Sequence, residues 1–561
     1  MKQLALVFLL AILHTLPLWN WDHNLAGGAG DPFAHAAIGE WYCKNVVLGN
    51  FKSDIFMAPF GTDLSGSYDS PFPFILTCPF YAAGPIFQFH LFTFIQIAMI
   101  LLSAFLVART FFKHKGLQLC YILFVWWCGF YVVRSHQHIT LLSVIWGFQL
   151  VLYALWTFNP GSWRRVAVPG ALIGLALTGT FYNIASLFFI SLILIFVRLW
   201  QTRKDFIWKS LLYIPGGVLS FLVVFLPLWG PLIYFTLWNG APDVIPQRAF
   251  YNLDLLSPFI PFDGNWLSQF FGGDLRIGFE RYNPFEPIML ILAIFWACHK
   301  KFWKDGWKAT IFILSIFYFI LALGPELRFN NDAYFDLNFN KLVLDFFPFR
   351  LSRTPARFAA ITNLSFVFLG FMFLDQISRE TWKNWIAVGL LGWIVLTGPG
   401  LNNMWQFPTL EYPSLFARQG LASLKALPDD SVVISIPSAW AQDPTQNFNR
   451  LFHRKNISSA YLSYPAYNQK TIALTVPDPF LGKLGCAGEI TAYKKNDLMS
   501  NPAELQKHLK ERKFRGFMIN KQILSGQANC AELTQWVLWF VKLPWIRVTE
   551  ENANFVTAEM L

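Results

Sequence analysis

Asp31 is the residue whose type and position most directly suggest chemistry. It stands in Gly30-Asp31-Pro32, in a polar loop just after the first apolar segment of the chain. A carboxylate held beside a membrane surface can take a proton from an attacking hydroxyl group. Helix geometry places His35 on the same face one turn later. The alternative is that Asp31 only caps a helix over residues 33–48, with Pro32 at its first position.

Arginines before a late apolar segment supply a second kind of chemistry. Arg350, Arg353 and Arg357 fall within Phe-Arg-Leu-Ser-Arg-Thr-Pro-Ala-Arg-Phe. Guanidinium groups bind phosphate oxygens in pairs, so these side chains are candidates for holding a phosphate at the membrane surface. The alternatives are snorkelling side chains and salt bridges to nearby aspartates.

His35 and three further side chains are candidates for contacts with a substrate or a metal ion. The three are Glu40, in the same loop as Asp31, and His136 and His138, in a short turn between apolar segments. Histidines in such a turn could bind a metal or a pyrophosphate, although a hydrogen-bonded interfacial histidine is the commoner case. The sequence contains no nucleotide-binding or metal-binding motif, and a requirement for a divalent cation stays open.

The composition predicts a polytopic membrane protein. Of 561 residues, 55% are hydrophobic and only 14% are charged. The net charge of +11 is spread over short clusters between apolar segments, which argues against a nucleic-acid partner and for a lipid bilayer. Eleven spans are predicted, near 3–19, 87–108, 117–133, 139–158, 166–182, 184–198, 210–234, 286–299, 309–325, 357–376 and 384–401.

Charge between the spans predicts their orientation. Alternate loops are basic, and by the positive-inside rule these loops face the cytoplasm. Residues 166–200 could form one long helix or two short spans, and the basic loops on both sides favour two. Eleven spans then place the amino terminus in the cytoplasm and the carboxyl-terminal part outside.

Four of the seven cysteines fall in parts predicted to lie outside the membrane. Cys43 with Cys78, and Cys486 with Cys530, are possible disulfides in an oxidising compartment. Spacing alone does not establish either pair.

Residues 402–561 differ in character from the apolar part before them. Ser431–Ile436 and Phe514–Ile519 alternate like strands, Ala503–Lys513 and Cys530–Val541 read as helices, and the last residues suggest a hairpin. We therefore predict a membrane domain over 1–401, with a first exterior loop at 20–86, followed by an exterior α/β domain. In the first loop, residues 33–48 are predicted to form a helix on the membrane surface.

The chain resembles the polytopic GT-C glycosyltransferases. Gly30-Asp31-Pro32 with its following helix matches the position of that family's catalytic acid. Pro59-Phe-Gly-Thr-Asp63 and Arg353-Thr-Pro-Ala-Arg357-Phe resemble segments of uncharacterised bacterial relatives. The first loop lacks the paired carboxylates of some members, and the tail lacks the Trp-Trp-Asp run of oligosaccharyltransferases.

The resemblance implies an enzyme of the bacterial inner membrane that uses a lipid-linked sugar. We expect transfer of a hexose or pentose from a polyprenyl-phosphate donor to a glycan or lipid acceptor in the cell envelope, with the carboxyl-terminal domain in the periplasm. Asp31 would be the base, and Arg353 and Arg357 would hold the donor phosphate. The alternatives are a polymerase or ligase of lipid-linked polysaccharide, a transporter or flippase, and a non-catalytic envelope protein.

Overall fold

The computed structural model is mainly helical. It describes all residues except 1, 21–22, 29–30, 46–51, 57, 60–61, 64–70, 204–207, 240–250, 261–278, 347, 350–351, 353, 398–406, 412–417, 438–443, 459–476, 487–492 and 494–495. The first 397 residues contribute helices α1 Lys2–His14, α2 Asp31–Asn45, α3 Pro71–Thr77, α4 Pro85–Phe111, α5 Lys115–Trp126, α6 Gly129–Arg134, α7 Ser143–Thr157, α8 Arg164–Leu177, α9 Phe181–Gln201, α10 Trp208–Asn239, α11 Pro287–Ala297, α12 Gly306–Ala322, α13 Asn338–Leu344, α14 Ala359–Asp375 and α15 Glu380–Thr397.

Long apolar helices make this a membrane protein. Within the described residues, 6 helical segments are long and apolar enough to cross a bilayer, namely Pro85–Phe111, Lys115–Arg134, Ile139–Thr157, Tyr182–Gln201, Tyr213–Gly230 and Pro355–Asp375. Shorter apolar helices cover Leu4–His14, Pro71–Ala83, Pro287–Ala297 and Gly306–Ala322. A helix stands in each of the eleven predicted segments, while the number that cross the membrane stays a prediction.

The region 166–200 forms two helices, as the basic flanking loops favoured. Helix α8 ends at Leu177, and Thr180 caps α9 by accepting a hydrogen bond from the backbone N–H of Asn183 at 3.3 Å. The side-chain amide of Asn183 donates to the carbonyl of Ala176 at 2.6 Å and to that of Ser143 at 3.1 Å. These bonds give the carbonyl of Ala176, in the last turn of α8, a hydrogen-bond partner, and they connect the turn between α8 and α9 to α7.

The carboxyl-terminal residues form a mixed five-stranded sheet. Its strands are β7 Val432–Ile436, β8 Asn456–Ile457, β9 Phe514–Asn520, β10 Ile546–Glu551 and β11 Phe555–Met560, in the order β10-β11-β9-β7-β8. Strand β7 is parallel to β8 and β9, whereas β11 is antiparallel to β9 and β10. Around the sheet lie α16 Arg418–Ala426, α17 Pro444–His453, α18 Asp497–Ser500, α19 Pro502–Glu511, α20 Lys521–Gly526 and α21 Ala531–Phe540.

Every residue of β7 is buried, because helices cover a central parallel strand on both faces. The strands, helices and hairpin predicted between 431 and 557 lie within a few residues of the observed ones. That this part is a separate exterior domain stays a prediction.

Short strand pairs connect distant parts of the chain. They are β1 Asn24–Ala26 with β6 Thr409–Glu411, β2 Lys52–Ser53 with β3 Thr62–Asp63, and β4 Glu326–Phe329 with β5 Asp332–Asp336. The pair β1–β6 joins the first loop to residues that follow the last apolar helix.

Disulfides join Cys43 to Cys78 and Cys486 to Cys530, which are the pairs that the sequence suggested. The first bond fixes the end of α2 to the helical turn before α4. The side-chain amide of Gln88, in α4, also donates to the carbonyl of Gly39 at 3.3 Å. The first loop is therefore fastened to the membrane helices on one side.

We predict that replacing both Cys43 and Cys78 by serine lowers stability. Closing a loop with a sequence separation of 35 residues restricts the unfolded chain, which corresponds to about 3–4 kcal/mol. The measurement is the thermal unfolding transition in detergent, with and without reductant. Cys298→Ser, at an exposed free cysteine, is the matched control. Equal transitions in the double variant and the control would contradict the prediction.

Candidate active site at the start of helix α2

Helix α2 starts at Asp31 itself rather than two residues later. Pro32 follows as the second helical residue, where its missing N–H costs nothing. The amino-terminal end of a helix carries partial positive charge, which favours a carboxylate or a phosphate there. Asp31 remains partly accessible, with 16% of its side chain exposed.

The surroundings of α2 differ from the sequence prediction. A helix on the membrane surface was expected, but every residue from Pro32 to Tyr42 is buried. The reason is that α4 packs on one part of α2 and α17 of the carboxyl-terminal region on another. The pattern of apolar residues within 33–48 could not reveal that a helix formed by residues 444–453 packs against this segment and buries it.

His138 is the contact that places Asp31 in a larger cluster. Its Nε2 lies 3.3 Å from Oδ2 of Asp31 and 3.1 Å from Oε1 of Glu280. His35, one turn along α2, has its Nε2 3.9 Å from the same oxygen of Asp31, as helix geometry predicted. A single imidazole nitrogen therefore stands between two carboxylates.

Glu280 binds two arginines as well as His138. Its Oε2 accepts from Nη1 of Arg134 at 3.0 Å, and its Oε1 accepts from Nη2 of Arg357 at 2.8 Å. Arg134 also donates to the backbone carbonyl of Glu280 at 3.2 Å. The ring of Tyr182 lies under the guanidinium of Arg357, with 4.3 Å from the guanidinium carbon to the ring centroid.

The charges of this cluster balance. Burial alone would raise the pKa of Glu280, but the positive charges of Arg357, His138 and Arg134 outweigh it and hold that pKa well below 4.5. The formal charges of the two carboxylates and the two guanidinium groups cancel, and His138 lies between the carboxylates. We refer to Asp31, His138, Glu280, Arg134 and Arg357 as the Asp31 cluster.

Close backbone packing holds the parts of the Asp31 cluster together. A β-carbon at Gly129 would lie 2.3 Å from the carbonyl oxygen of Pro284, so α6 can approach this loop so closely only because residue 129 is glycine. The amide of Asn283 donates to the carbonyl of Ala356 at 2.9 Å. These contacts fix the segments that carry Arg134, Glu280 and Arg357.

The other predicted site residues lie in several places. Arg350 and Arg353 lie outside the described residues. Nδ1 of His136 lies 3.1 Å from the carbonyl oxygen of Val132. Burial lowers the pKa of His136, and the backbone carbonyl of His136 accepts a hydrogen bond from the backbone N–H of Gly28. Glu40 faces away from the Asp31 cluster and bonds to residues of α17 and beyond.

Sequence reasoning did not single out Glu280. The available signal was charge, because a buried guanidinium group needs a carboxylate and Arg357 was already a candidate site residue.

No group of three or more histidine, cysteine, aspartate or glutamate side chains in the described part of the chain has the arrangement of a metal site.

Comparison with solved structures identifies the fold. The arabinofuranosyltransferase AftD from Mycobacteria matches with a TM-score of 0.54 and 10% identity over 100% of this chain and 40% of its own. The Archaeoglobus fulgidus oligosaccharyltransferase matches at 0.48 with 11% identity, over 95% of this chain and 70% of its own. ArnT from Cupriavidus metallidurans matches at 0.47 with 11% identity, over 98% and 97%.

The chain has the GT-C fold. This assignment rests on AftD, whose TM-score with this chain is 0.54. No family model and no curated protein matches the sequence. At these identities the likeness concerns the fold alone.

We predict that Glu280→Gln destabilises the protein. The substitution removes the negative charge of Glu280 that the buried guanidinium groups of Arg134 and Arg357 contact. The expected loss is about 3 kcal/mol, which is the low end of the range for breaking a buried ion pair, because Glu280 is partly exposed. The measurement is thermal unfolding in detergent at neutral pH. Glu326→Gln, at the partly exposed pair with Arg328, is the control and should change little. An unchanged transition in Glu280→Gln would contradict the argument.

The same variant has a predicted pH dependence. Because the pKa of Glu280 is depressed in the folded state, its contribution is present above about pH 4.5 and is lost as the pH falls through the lowered value. We therefore expect the stabilities of wild type and Glu280→Gln to differ at neutral pH and to converge in acid. A constant difference between them at every pH would show that charge is not the cause.

Proposed function

We propose that this protein is a membrane glycosyltransferase that moves a sugar from a polyprenyl-phosphate donor to a glycan or lipid acceptor of the cell envelope. The observation that carries the proposal is the position of Asp31 in a chain with the GT-C fold. Asp31 is partly accessible at the start of a buried helix, and its Oδ2 lies 3.3 Å from Nε2 of His138. A flippase or transporter does not need a carboxylate held in this way.

In the proposed reaction Asp31 acts as the base. The oxygen of the acceptor hydroxyl attacks the anomeric carbon, the bond from that carbon to the phosphate oxygen breaks, and the hydroxyl proton passes to Asp31. His138 holds one carboxylate oxygen at 3.3 Å and so orients the other toward the acceptor. The polyprenyl phosphate leaves with the bonding electrons.

The leaving phosphate gains negative charge that the arginines can stabilise. Arg357 is the described member of the predicted arginine group, and its fork is suited to phosphate oxygens. In the structure Nη2 of Arg357 donates to Oε1 of Glu280 at 2.8 Å, so a donor phosphate would compete with Glu280 for Arg357. Arg134 would keep Glu280 in place meanwhile. Arg350 and Arg353 are proposed to contribute to the same phosphate site.

The proposed topology puts this reaction outside the cytoplasm. The basic alternate loops support a cytoplasmic amino terminus in a bacterial inner membrane and a periplasmic carboxyl-terminal domain. Asp31 and the carboxyl-terminal sheet would then lie on one side, which agrees with the direct contacts between α2 and α17.

We predict that Asp31→Asn abolishes transfer. Asparagine keeps the shape but cannot accept the proton, so kcat should fall by about 10²–10⁴. The assay uses a radiolabelled hexose or pentose on polyprenyl phosphate, with membranes of a deletion strain as acceptor. Asp54→Asn, at an exposed aspartate of the same loop, is the control. Full activity in Asp31→Asn, with loss in Arg357→Gln, would favour a polymerase or ligase instead.

Envelope glycans of the deletion strain give the corresponding test in cells. A sugar that is missing from the deletion strain and restored by wild type but not by Asp31→Asn supports transfer and names the donor. An unchanged glycan profile in the deletion strain would contradict the proposal and direct attention to lipid flipping in proteoliposomes.

We predict that Arg357→Gln weakens binding of the donor. Loss of a charge-assisted hydrogen bond to phosphate corresponds to about 1.5–3 kcal/mol, so the donor KM should rise at least about tenfold. Arg357→Lys keeps the charge but not the fork and should show an intermediate effect. Arg328→Gln, at an arginine that binds Glu326 outside the cluster, is the control. An unchanged donor KM would remove Arg357 from the phosphate site.

A further inference from the structure

Helix α2 carries a second carboxylate, Glu40, which is buried, in addition to the partly accessible Asp31. The two residues are nine positions apart, which is about two and a half turns and places them on opposite sides of the helix. Only 4% of Glu40 is exposed. The Asp31 side of α2 meets His138, so the Glu40 side must be covered by something else.

Cations from two segments surround Glu40. Lys44, one turn along α2, donates to Oε1 at 2.9 Å, and Arg454 donates to the same oxygen. Arg450, in the last turn of α17, has its Nη1 3.5 Å from Oε2. Burial raises the pKa of Glu40, but Lys44, Arg454 and Arg450 outweigh it, so the net shift is downward and the carboxylate stays charged.

Backbone hydrogen bonds reinforce this contact. The N–H of Ile457, in β8, donates to the carbonyl of Ile55 at 2.9 Å, and the N–H of Ala58 donates to the carbonyl of Ile457 at 2.8 Å. The guanidinium of Arg450 lies over the buried ring of Phe56, 5.5 Å from the centroid. The first loop thus continues the edge of the five-stranded sheet beyond β8.

We propose that Glu40 is a positioning residue through which the carboxyl-terminal domain holds Asp31 in place for the proposed transfer. Glu40, Arg450 and Arg454 form the joint between α2 and α17, and α2 is the rigid element that connects the joint to Asp31. The inference rests on the proposed function, because it assigns Glu40 a role in that reaction.

Orientation explains the joint better than stability does. A buried ion cluster contributes little compared with apolar side chains of the same volume, because each charge loses its hydration. The charged hydrogen bonds of Glu40 form only when α2 and α17 have one particular relative orientation. At the other face of α2, the contact of 3.3 Å from His138 to Asp31 is sensitive to a small displacement of the helix.

The experiment compares kcat and KM in purified full-length variants. The donor is a radiolabelled hexose or pentose on polyprenyl phosphate, and membranes of the deletion strain provide the acceptor. We expect Glu40→Gln to lower kcat about 10- to 100-fold while the donor KM stays within about twofold, since displacing a base affects the chemical step. Glu40→Asp keeps the charge and should recover part of the lost kcat.

Matched variants separate positioning from damage to the fold. Glu551→Gln removes an exposed ion pair with Lys521 in the same domain and should leave kcat unchanged. Arg454→Gln opens the joint at a side chain that is 43% exposed, so it tests the proposal even where Glu40→Gln does not fold. It should lower kcat in the same direction as Glu40→Gln.

The possible results separate this inference from the proposed function. An inactive Asp31→Asn with wild-type kcat in Glu40→Gln and Arg454→Gln would overturn the joint alone. A rise in acceptor KM without a change in kcat would also overturn it, because Glu40 would then act in acceptor binding. An active Asp31→Asn would overturn the proposed function, and the joint with it.

Discussion

The carboxylate of Glu280 is the constraint on which the arrangement of the site depends. Arg134 has no exposed surface, and a guanidinium removed from water costs several kcal/mol unless an opposite charge meets it. Glu280 meets Arg134 and Arg357 together. Because these arginines come from the end of α6 and the turn before α14, one carboxylate brings three distant segments to a single place. The position of His138, and through it that of Asp31, follows from that convergence.

Local patterns predicted much of the fold because their causes are local. Apolar runs locate the membrane helices, alternation locates strands such as Val432–Ile436, and basic loops on both sides of residues 166–200 indicated two helices there. Asp31 and its neighbour His35 were found in the same way, from a position after the first apolar segment and from helical spacing. The sequence pattern of each of these features lies within about twenty residues.

Contacts between distant residues were not predictable in this way. Glu280 is separated by 146 residues from Arg134 and by 77 from Arg357, and no periodicity relates them. The burial of α2 was missed for the same reason, because its cover comes from α17. Charge did carry a partial signal, since arginines outside the cytoplasm require a partner. The sequence suggested nearby aspartates as that partner of Arg357, whereas the structure shows Glu280 in this role.

In the proposed function Asp31 is a base, and a base is most effective when its surroundings are fixed before the substrate arrives. Contacts from several directions fix helix α2 in this way. The Cys43–Cys78 bond and Gln88 fasten it to the membrane helices, the Asp31 cluster holds its first residue, and the Glu40 joint holds the opposite face. Electrostatic preorganisation of this kind avoids the cost of reorienting dipoles during the reaction. In the proposed function helix α2 carries the base, and contacts from both the membrane helices and the carboxyl-terminal region hold this helix in one position.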